Sequence, residues 1–521
     1  MSADAKEMDY SHHEGDVPKS QHNESHETLR RVYNTWTGTY RAPELLLIAY
    51  IDLWVYLLAS AYQVLMMASW TCNVVLYSTV FDVGGPMMLI YSTIIVTFGQ
   101  CLMMSSLAEL CSEWPYAGGQ QAFTKYLAPK SIRRFLSYLV GWVVLLGEIA
   151  TAAGCAMNSA QITAAIIELH HPGFHAASWN TYLIYMALTI LSLAFCFSQR
   201  HLPAIAVLGG VITLGGGLAW AISFLALAPK QTARFVFTEF VNNSGYHVSA
   251  WVGVMSFYTP IYALYGTDGI LHIAEEMRDA PKSAPRAMVY SMVFSGITSL
   301  MGALVMAFCS GNWEAYMESD FPFLNWFVDV LDSSAGGSAL VIVVIVLLNF
   351  LITVGINTAG SRLAWGMAGD HALPLSNFFA KVNQSVHTPL NALLFIITAE
   401  LTIGLVLFGS DYAFQIIVSL GGVAIQFGYL IPILMLLIRG RSALPTDRQF
   451  KLNSFGYIVN VAAVCWSSLV IIILFFPLYV PITANNLVDM NWAVVIFAGL
   501  VVFIIVDWMF RGRHHYVISD E

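Results

Sequence analysis

Twelve apolar runs follow one another along this chain, centred on residues 57–81, 86–108, 135–167, 179–198, 203–228, 250–275, 287–309, 338–361, 391–409, 413–438, 457–480 and 491–510. Each is long enough, at about twenty residues, to cross roughly 30 Å of hydrocarbon as a helix. In lipid every backbone N–H and C=O must find its partner inside the protein, which only helices and closed barrels achieve, and runs of this length select the helix. The expected fold class is therefore an all-α membrane protein of about twelve transmembrane helices. Charged residues make up 11% of the chain, against about a quarter in an ordinary soluble domain.

Orientation follows from Lys and Arg, which short loops retain on the cytoplasmic side. With the N-terminal end inside, all of the 23 Lys and Arg residues except Lys230 and Arg234 fall in inside segments. This predicts a multi-pass protein with both termini cytosolic, in the plasma membrane, with the vacuolar membrane left open. The outside loops hold Asn242-Asn243-Ser244, which makes Asn242 a candidate glycosylation site. Residues 45–56 lengthen the first apolar run to nearly forty, too long for one helix and too short for two spans. They read as an interfacial or strongly tilted helix, or as an artefact of the gene boundary.

The seven cysteines stand singly, with no Cys/His cluster at metal-ligand spacing, so neither a disulfide framework nor a metal site is expected. The formal charge of −9 is dispersed over tails and loops and points to no nucleic-acid partner. No Gly-x-Ser-x-Gly elbow, His-Glu-x-x-His pair or Walker sequence is present. Neither an enzyme nor an ATP-driven pump is indicated, no cofactor is implied, and transport driven by an ion gradient remains.

Ionisable groups and glycine clusters at membrane depth need a reason. In the first run Ser69, Trp70, Thr71, Cys72 and Asn73 place polar groups in mid-span. In the sixth, Tyr265-Gly266-Thr267-Asp268-Gly269 brackets a carboxylate with two glycines. Spans one and six correspond in the two halves of a five-plus-five inverted repeat, and transporters of that kind bind solute where those helices break. Half-helix ends there offer N–H groups to an anionic moiety and carbonyls to a cation. The candidate substrate-binding set is Ser69, Trp70, Thr71, Asn73, Tyr265, Gly266, Thr267 and Asp268, with Trp70 and Tyr265 as aromatic faces for an ammonium group. The alternative is close packing at the two glycines and an interhelical bond from Asp268. Glu148, deep in the third run, is placed to exchange a proton or neutralise an amine; the alternative is a hydrogen bond to a neighbouring helix. Glu148, Asp268 and Glu275 are the candidate coupling residues, with His272 one turn beyond Asp268 as a possible relay. Glu400 and Asp507 read as structural. The glycines at 209, 210, 215, 216 and 217 suit close helix packing.

Several strings carry a family likeness. Ser106-Leu107-Ala108-Glu109-Leu110-Cys111-Ser112-Glu113-Trp114-Pro115-Tyr116-Ala117-Gly118-Gly119-Gln120, Phe235-Val236-Phe237-Thr238-Glu239-Phe240-Val241-Asn242-Asn243, and His272-Ile273-Ala274-Glu275-Glu276-Met277 running on to Ser283-Ala284-Pro285-Arg286-Ala287-Met288 closely resemble the fungal amino acid/choline transporter family of the amino acid, polyamine and organocation superfamily. The resemblance covers roughly residues 57–515. It implies a leucine-transporter-like fold of ten core helices, in a 5+5 inverted repeat, plus two. It also implies alternating access and, usually, proton-coupled uptake, with Asp268, Glu275 and Glu276 matching acidic positions of the sixth-span signature. The family commonly has an aromatic residue where Glu148 stands and a tyrosine where Thr267 stands, which implies a changed pocket.

The resulting expectation is a secondary active permease for an amino acid, choline-like or other small amine solute, with H+ as coupling ion. Export of an amine or alkaloid metabolite, and a non-transporting nutrient sensor, are the alternatives. The domain reading is a disordered cytosolic tail at 1–44, without a cleavable signal, a polytopic transporter domain at 45–511, and a cytosolic C-terminal tail at 512–521. Within the transporter domain the repeats are about 57–228 and 250–438, and the extra helices about 457–480 and 491–510.

Overall fold

Helices account for nearly every regular segment of the computed structural model, which describes residues 59–518 except 68, 198–201, 267, 278, 410 and 484–489. The expected tail at 1–44, the segment 45–56 and Thr267 lie outside the described residues. In chain order the helices that build the site are α1 (59–67), α2 (Ser69–Val75), α3 (Gly85–Glu113), α4 (Gln120–Leu127), α5 (Arg133–His170), α6 (Ser178–Cys196), α7 (Leu202–Leu227), α8 (Tyr258–Ala263) and α9 (Gly269–Ile273). They continue with α10 (Ala280–Phe308), α11 (Leu347–Gly369), α12 (Leu390–Gly404), α13 (Asp411–Arg439), α14 (Gly456–Phe475) and α15 (Ala493–Asp507). Among the described residues ten helices are long and apolar enough to cross a membrane. The first and sixth apolar runs complete the twelve as shorter pieces, α1 with α2, and α8 with α9. The protein is thus an all-α multi-pass membrane protein.

The spans sort into two packed groups. One joins α2, α3, α8 and α10; the other joins α5, α6, α11, α12 and α13. α5 is buried along most of its length, whereas α15 turns most of its surface outward, as expected where lipid is as apolar as the protein interior. α14 leans on α3 and α13.

The two ends of the bundle differ in charge. At one, here the basic face, Arg134 donates to the Tyr516 carbonyl at 2.6 Å, Arg511 to the Ala372 carbonyl at 2.7 Å and Arg439 to the Tyr126 carbonyl. The opposite end carries Asn242, whose exposed side chain donates to the Tyr246 carbonyl at 2.8 Å. The segment beyond 511 packs against the bundle: the Tyr516 ring is buried and its hydroxyl lies 2.9 Å from the Ser137 hydroxyl. Arg362, which the sequence suggested as a loop cation, is instead buried within α11, because that helix runs past its apolar stretch and meets Glu276 there.

Candidate functional site

The sixth span cannot stay helical through Tyr265–Asp268. Gly266 has φ +78°, a region costly for any residue with a Cβ, and a Cβ there would lie 3.2 Å from the Met66 carbonyl oxygen. The interruption leaves backbone groups without helical partners, which must be satisfied at membrane depth. Gln63 of α1 does this from both sides. Its amide N–H donates to the Gly266 carbonyl, and its amide oxygen accepts from the Ile270 N–H at 3.2 Å. One side chain of the first span therefore holds together the two halves of the sixth.

Beside this break lies a cavity of about 560 Å³, within the range of sites for small organic ligands. α1 and α2 contribute Met66, Met67, Thr71 and Cys72; α5 contributes Thr151, Cys155, Asn158 and Gln161; α11 contributes Asn349 and Ile356, and α13 Ser419 and Gly422. Tyr258, Tyr262 and Tyr265 form one wall, with ring centroids 4.7 and 5.6 Å apart along the series. Away from the basic face the cavity reaches Tyr479 and Trp492 in the loop before α15. Among the described residues, none that lines it is Asp, Glu, Lys, Arg or His. Polar recognition falls to amides, hydroxyls, backbone and the faces of tyrosine rings, which attract cations through their quadrupole.

Of the candidate binding residues, Thr71, Tyr265 and Gly266 line this cavity. Ser69, Trp70 and Asn73 do not, each for an identifiable reason. The Ser69 hydroxyl donates to the Ser295 carbonyl at 2.8 Å, and the Asn73 amide lies 3.1 Å from the Ser299 hydroxyl, both on α10. Trp70 stacks on Trp220 with centroids 5.0 Å apart and donates its indole N–H to the Thr213 carbonyl at 3.0 Å, both on α7. Glycines make that room: a Cβ on Gly217 would come within 2.9 Å of the Trp70 indole nitrogen, and one on Gly302 within 2.7 Å of its Cβ.

The carboxylates stand behind the cavity rather than in its wall. Asp268 is buried, accepting from the Gln120 amide and the Tyr429 hydroxyl, each at 2.7 Å. Its Oδ2 is 3.5 Å from His272 Nε2, and ligand atoms of Glu148, Asp268 and His272 all lie within 4.8 Å of one another. Glu275 is drawn off: its carboxylate accepts from the Ala117 N–H at 2.9 Å. Asp507 is structural as expected, bonded to Arg511 at 2.6 Å and to the Tyr138 hydroxyl. Glu400 is buried in α12, away from the cavity, with its backbone carbonyl accepting from Tyr185 at 2.7 Å.

Toward the basic face the two helix groups are joined by polar contacts. Arg362 of α11 meets Glu276 at 2.8 Å with both side chains buried, and Gln120 and Tyr429 reach Asp268 as described. Glu109 of α3 takes Arg441 and Arg448 at 2.8 Å each and the Leu452 N–H at 3.0 Å. Gln63, Gln120, Tyr429 and Arg362 hold these contacts and are not among the site residues expected from the sequence. Only Gln63 carried a signal of its own, a neutral amide inside a predicted span; Gln120 and Arg362 fall outside the predicted spans, and Tyr429 is one tyrosine among many within them.

Residues 59–502 match the model of a family described as amino acid permease. A choline transporter of Saccharomyces cerevisiae is 28% identical over 443 residues, covering 84% of this chain and 77% of that protein. Amino-acid permease 2 of Neurospora crassa is 25% identical over 443 residues, 83% and 80% of the two chains. Amino-acid permease BAT1 of Arabidopsis thaliana is 27% identical over 462 residues, 84% and 87%.

Proposed function

We propose that this chain, which belongs to the amino acid permease family, is a proton-coupled importer of a small amine-bearing solute, either an amino acid or a choline-like cation. That it is a permease and not an enzyme follows from the family and its relatives; the solute class, the proton and the direction are our reading. One observation carries the solute class: a cavity of about 560 Å³ with a wall of three tyrosines and, among the described residues, no charged lining residue. Such a wall favours an ammonium head over an anion, and the buried carboxylates behind it supply the compensating field. The solute sits against Tyr262, Tyr265 and the Gly266 break, with Thr71 and Asn158 as hydrogen-bonding partners. Rocking of one helix group against the other then exposes the cavity to alternate faces.

In this reading the basic face is cytosolic, the protein resides in the plasma membrane, and Asn242 carries a glycan. Residues 57–228 and 250–438 act as the two repeats, with the last two spans outside them.

The test is uptake of labelled choline, 4-aminobutyrate and basic amino acids at pH 5 and pH 7 in yeast lacking its own permeases for them. Saturable accumulation that is faster at pH 5 is expected for at least one solute. Tyr262→Ala should raise its KM by roughly 2- to 30-fold, the range a cation–π contact is worth, while Tyr262→Phe keeps most of the affinity. Surface-expressed protein that accumulates none of these solutes would overturn the import reading.

A further inference from the structure

We infer that the coupled proton is carried by His272, on Nε2, inside a cluster with Asp268 and Glu148 that also latches the basic-face closure. The inference rests on the proton-coupled reading above and names the group responsible.

His272 Nδ1 lies 2.9 Å from the Ala117 carbonyl oxygen. That oxygen only accepts, so Nδ1 carries a hydrogen and the exchangeable position is Nε2. Nε2 is buried and faces Asp268 at 3.5 Å. Asp268 already accepts from Gln120 and Tyr429 through both oxygens, an arrangement that suits the ionised carboxylate. The third member, Glu148, approaches from α5, on the other helix group.

The remaining ionisable groups nearby are accounted for. Glu276 is neutralised by Arg362, Glu275 is bonded to the Ala117 N–H, and Lys125 pairs with Asp370 at 3.6 Å. Tyr429 from α13, Tyr62 from α1, whose hydroxyl donates to the Gly355 carbonyl at 2.9 Å, Tyr265, whose hydroxyl donates to the Gly422 carbonyl at 2.5 Å, and Cys155 of α5 also neighbour the cluster. With a neutral ring and an ionised Asp268 the cluster holds one uncompensated negative charge in a dry site, and a second as soon as Glu148 gives up its proton, an expensive state. A proton on Nε2 removes one, and a cationic head in the adjacent cavity offsets the other.

The route is short. Thr151 lines the cavity one helical turn from Glu148 on α5. A proton from solvent in the cavity passes to the Glu148 carboxyl and then forms the Nε2–H bond. That bond breaks to water at the basic face when Ala117 and Gln120 withdraw, because their hydrogen bonds to His272 and Asp268 are among those the opening must undo. Only O–H and N–H bonds change, and one proton crosses per cycle.

The experiment follows amide exchange by mass spectrometry on the purified full-length protein in nanodiscs at pH 5.5 and pH 7.5, corrected for the intrinsic pH dependence of exchange. Protection of 114–120 and 269–277 should fall on going to pH 7.5 in the wild type. His272→Gln, which keeps a donor for Ala117, should abolish that pH response, and Glu148→Gln should reduce it. A pH response unchanged in His272→Gln, or absent from the wild type, would overturn the inference. Solute-driven proton flux into liposomes is read in parallel. A wild type that shows the pH response but moves no proton with solute would sink the transport reading while leaving His272 as the proton-binding latch.

Discussion

The two ends of the cavity are built from different materials. Toward the basic face the helix groups are joined by a buried ion pair, Arg362–Glu276, and by hydrogen bonds converging on Asp268 and Ala117. Toward the opposite face the boundary is tyrosine rings, aliphatic side chains and a loop, whose ties among the described residues are single hydrogen bonds: Tyr479 to Asp82 at 3.1 Å, Tyr246 to the Pro477 carbonyl at 2.9 Å and the Val480 N–H to the Ser244 carbonyl at 2.8 Å. Parting apolar and aromatic surfaces admits lipid or water without stranding a charge. Parting Arg362 from Glu276 leaves two charges short of partners, and each costs several kcal/mol when desolvated. The basic face is therefore the end whose opening would strand charge, and it requires compensation, which protons and solute can supply.

The largest effect expected from breaking this asymmetry is at Arg362. Arg362→Ala leaves the Glu276 carboxylate buried without its cation and should cost roughly 3–5 kcal/mol of stability, with uptake lost. Arg362→Lys cannot reproduce the planar fork and should recover only part. Thermal unfolding of the solubilised protein alongside uptake reads both. An Arg362→Ala protein with wild-type melting and KM would show that the basic-face contacts do not define the closed state.

The next effect is at Gln63, which belongs to the site rather than to the closure. Gln63→Ala leaves the Gly266 carbonyl and the Ile270 N–H unpaired, each worth about 1–3 kcal/mol when buried. Transport should fall by roughly 5- to 100-fold in folded protein, with Gln63→Glu intermediate because it keeps an acceptor for Ile270. Uptake unaffected in both variants would mean that the break in the sixth span is held by its own backbone.

The sequence made the spans and the broken sixth helix legible because both are written in single residues: run length sets the crossing, and glycines around Asp268 have no purpose in a plain helix. Glu148 stood out for the same reason, since a carboxyl in mid-span is expensive wherever it points. Direction was not legible. Where lipid and protein interior are equally apolar, periodicity does not say which stripe meets a neighbour. Asn73 and Trp70 looked like cavity residues because they are polar within an apolar run, yet their N–H groups are directed to Ser299 and Thr213. Arg362 looked like a loop cation because its partner, Glu276, is distant in sequence. Gln63 and Gln120 attract no notice as neutral amides until the groups they satisfy are seen.

Trp70 gives the smallest and sharpest test, because aromatic character at the first span was read as a solute contact and the structure makes it a packing contact. Trp70→Phe keeps a ring against Trp220 but loses the indole N–H to Thr213, a bond worth about 0.5–1.5 kcal/mol. Melting should drop correspondingly, while KM for any transported solute stays within about twofold, a change below 0.5 kcal/mol. Tyr262→Ala should show the inverse pattern, with KM raised and little change in melting. If Trp70→Phe instead raises KM tenfold with melting intact, the indole faces solute in a state other than the one described. The division between Trp70, which packs, and Tyr262, which binds, would then hold only while the basic face is closed.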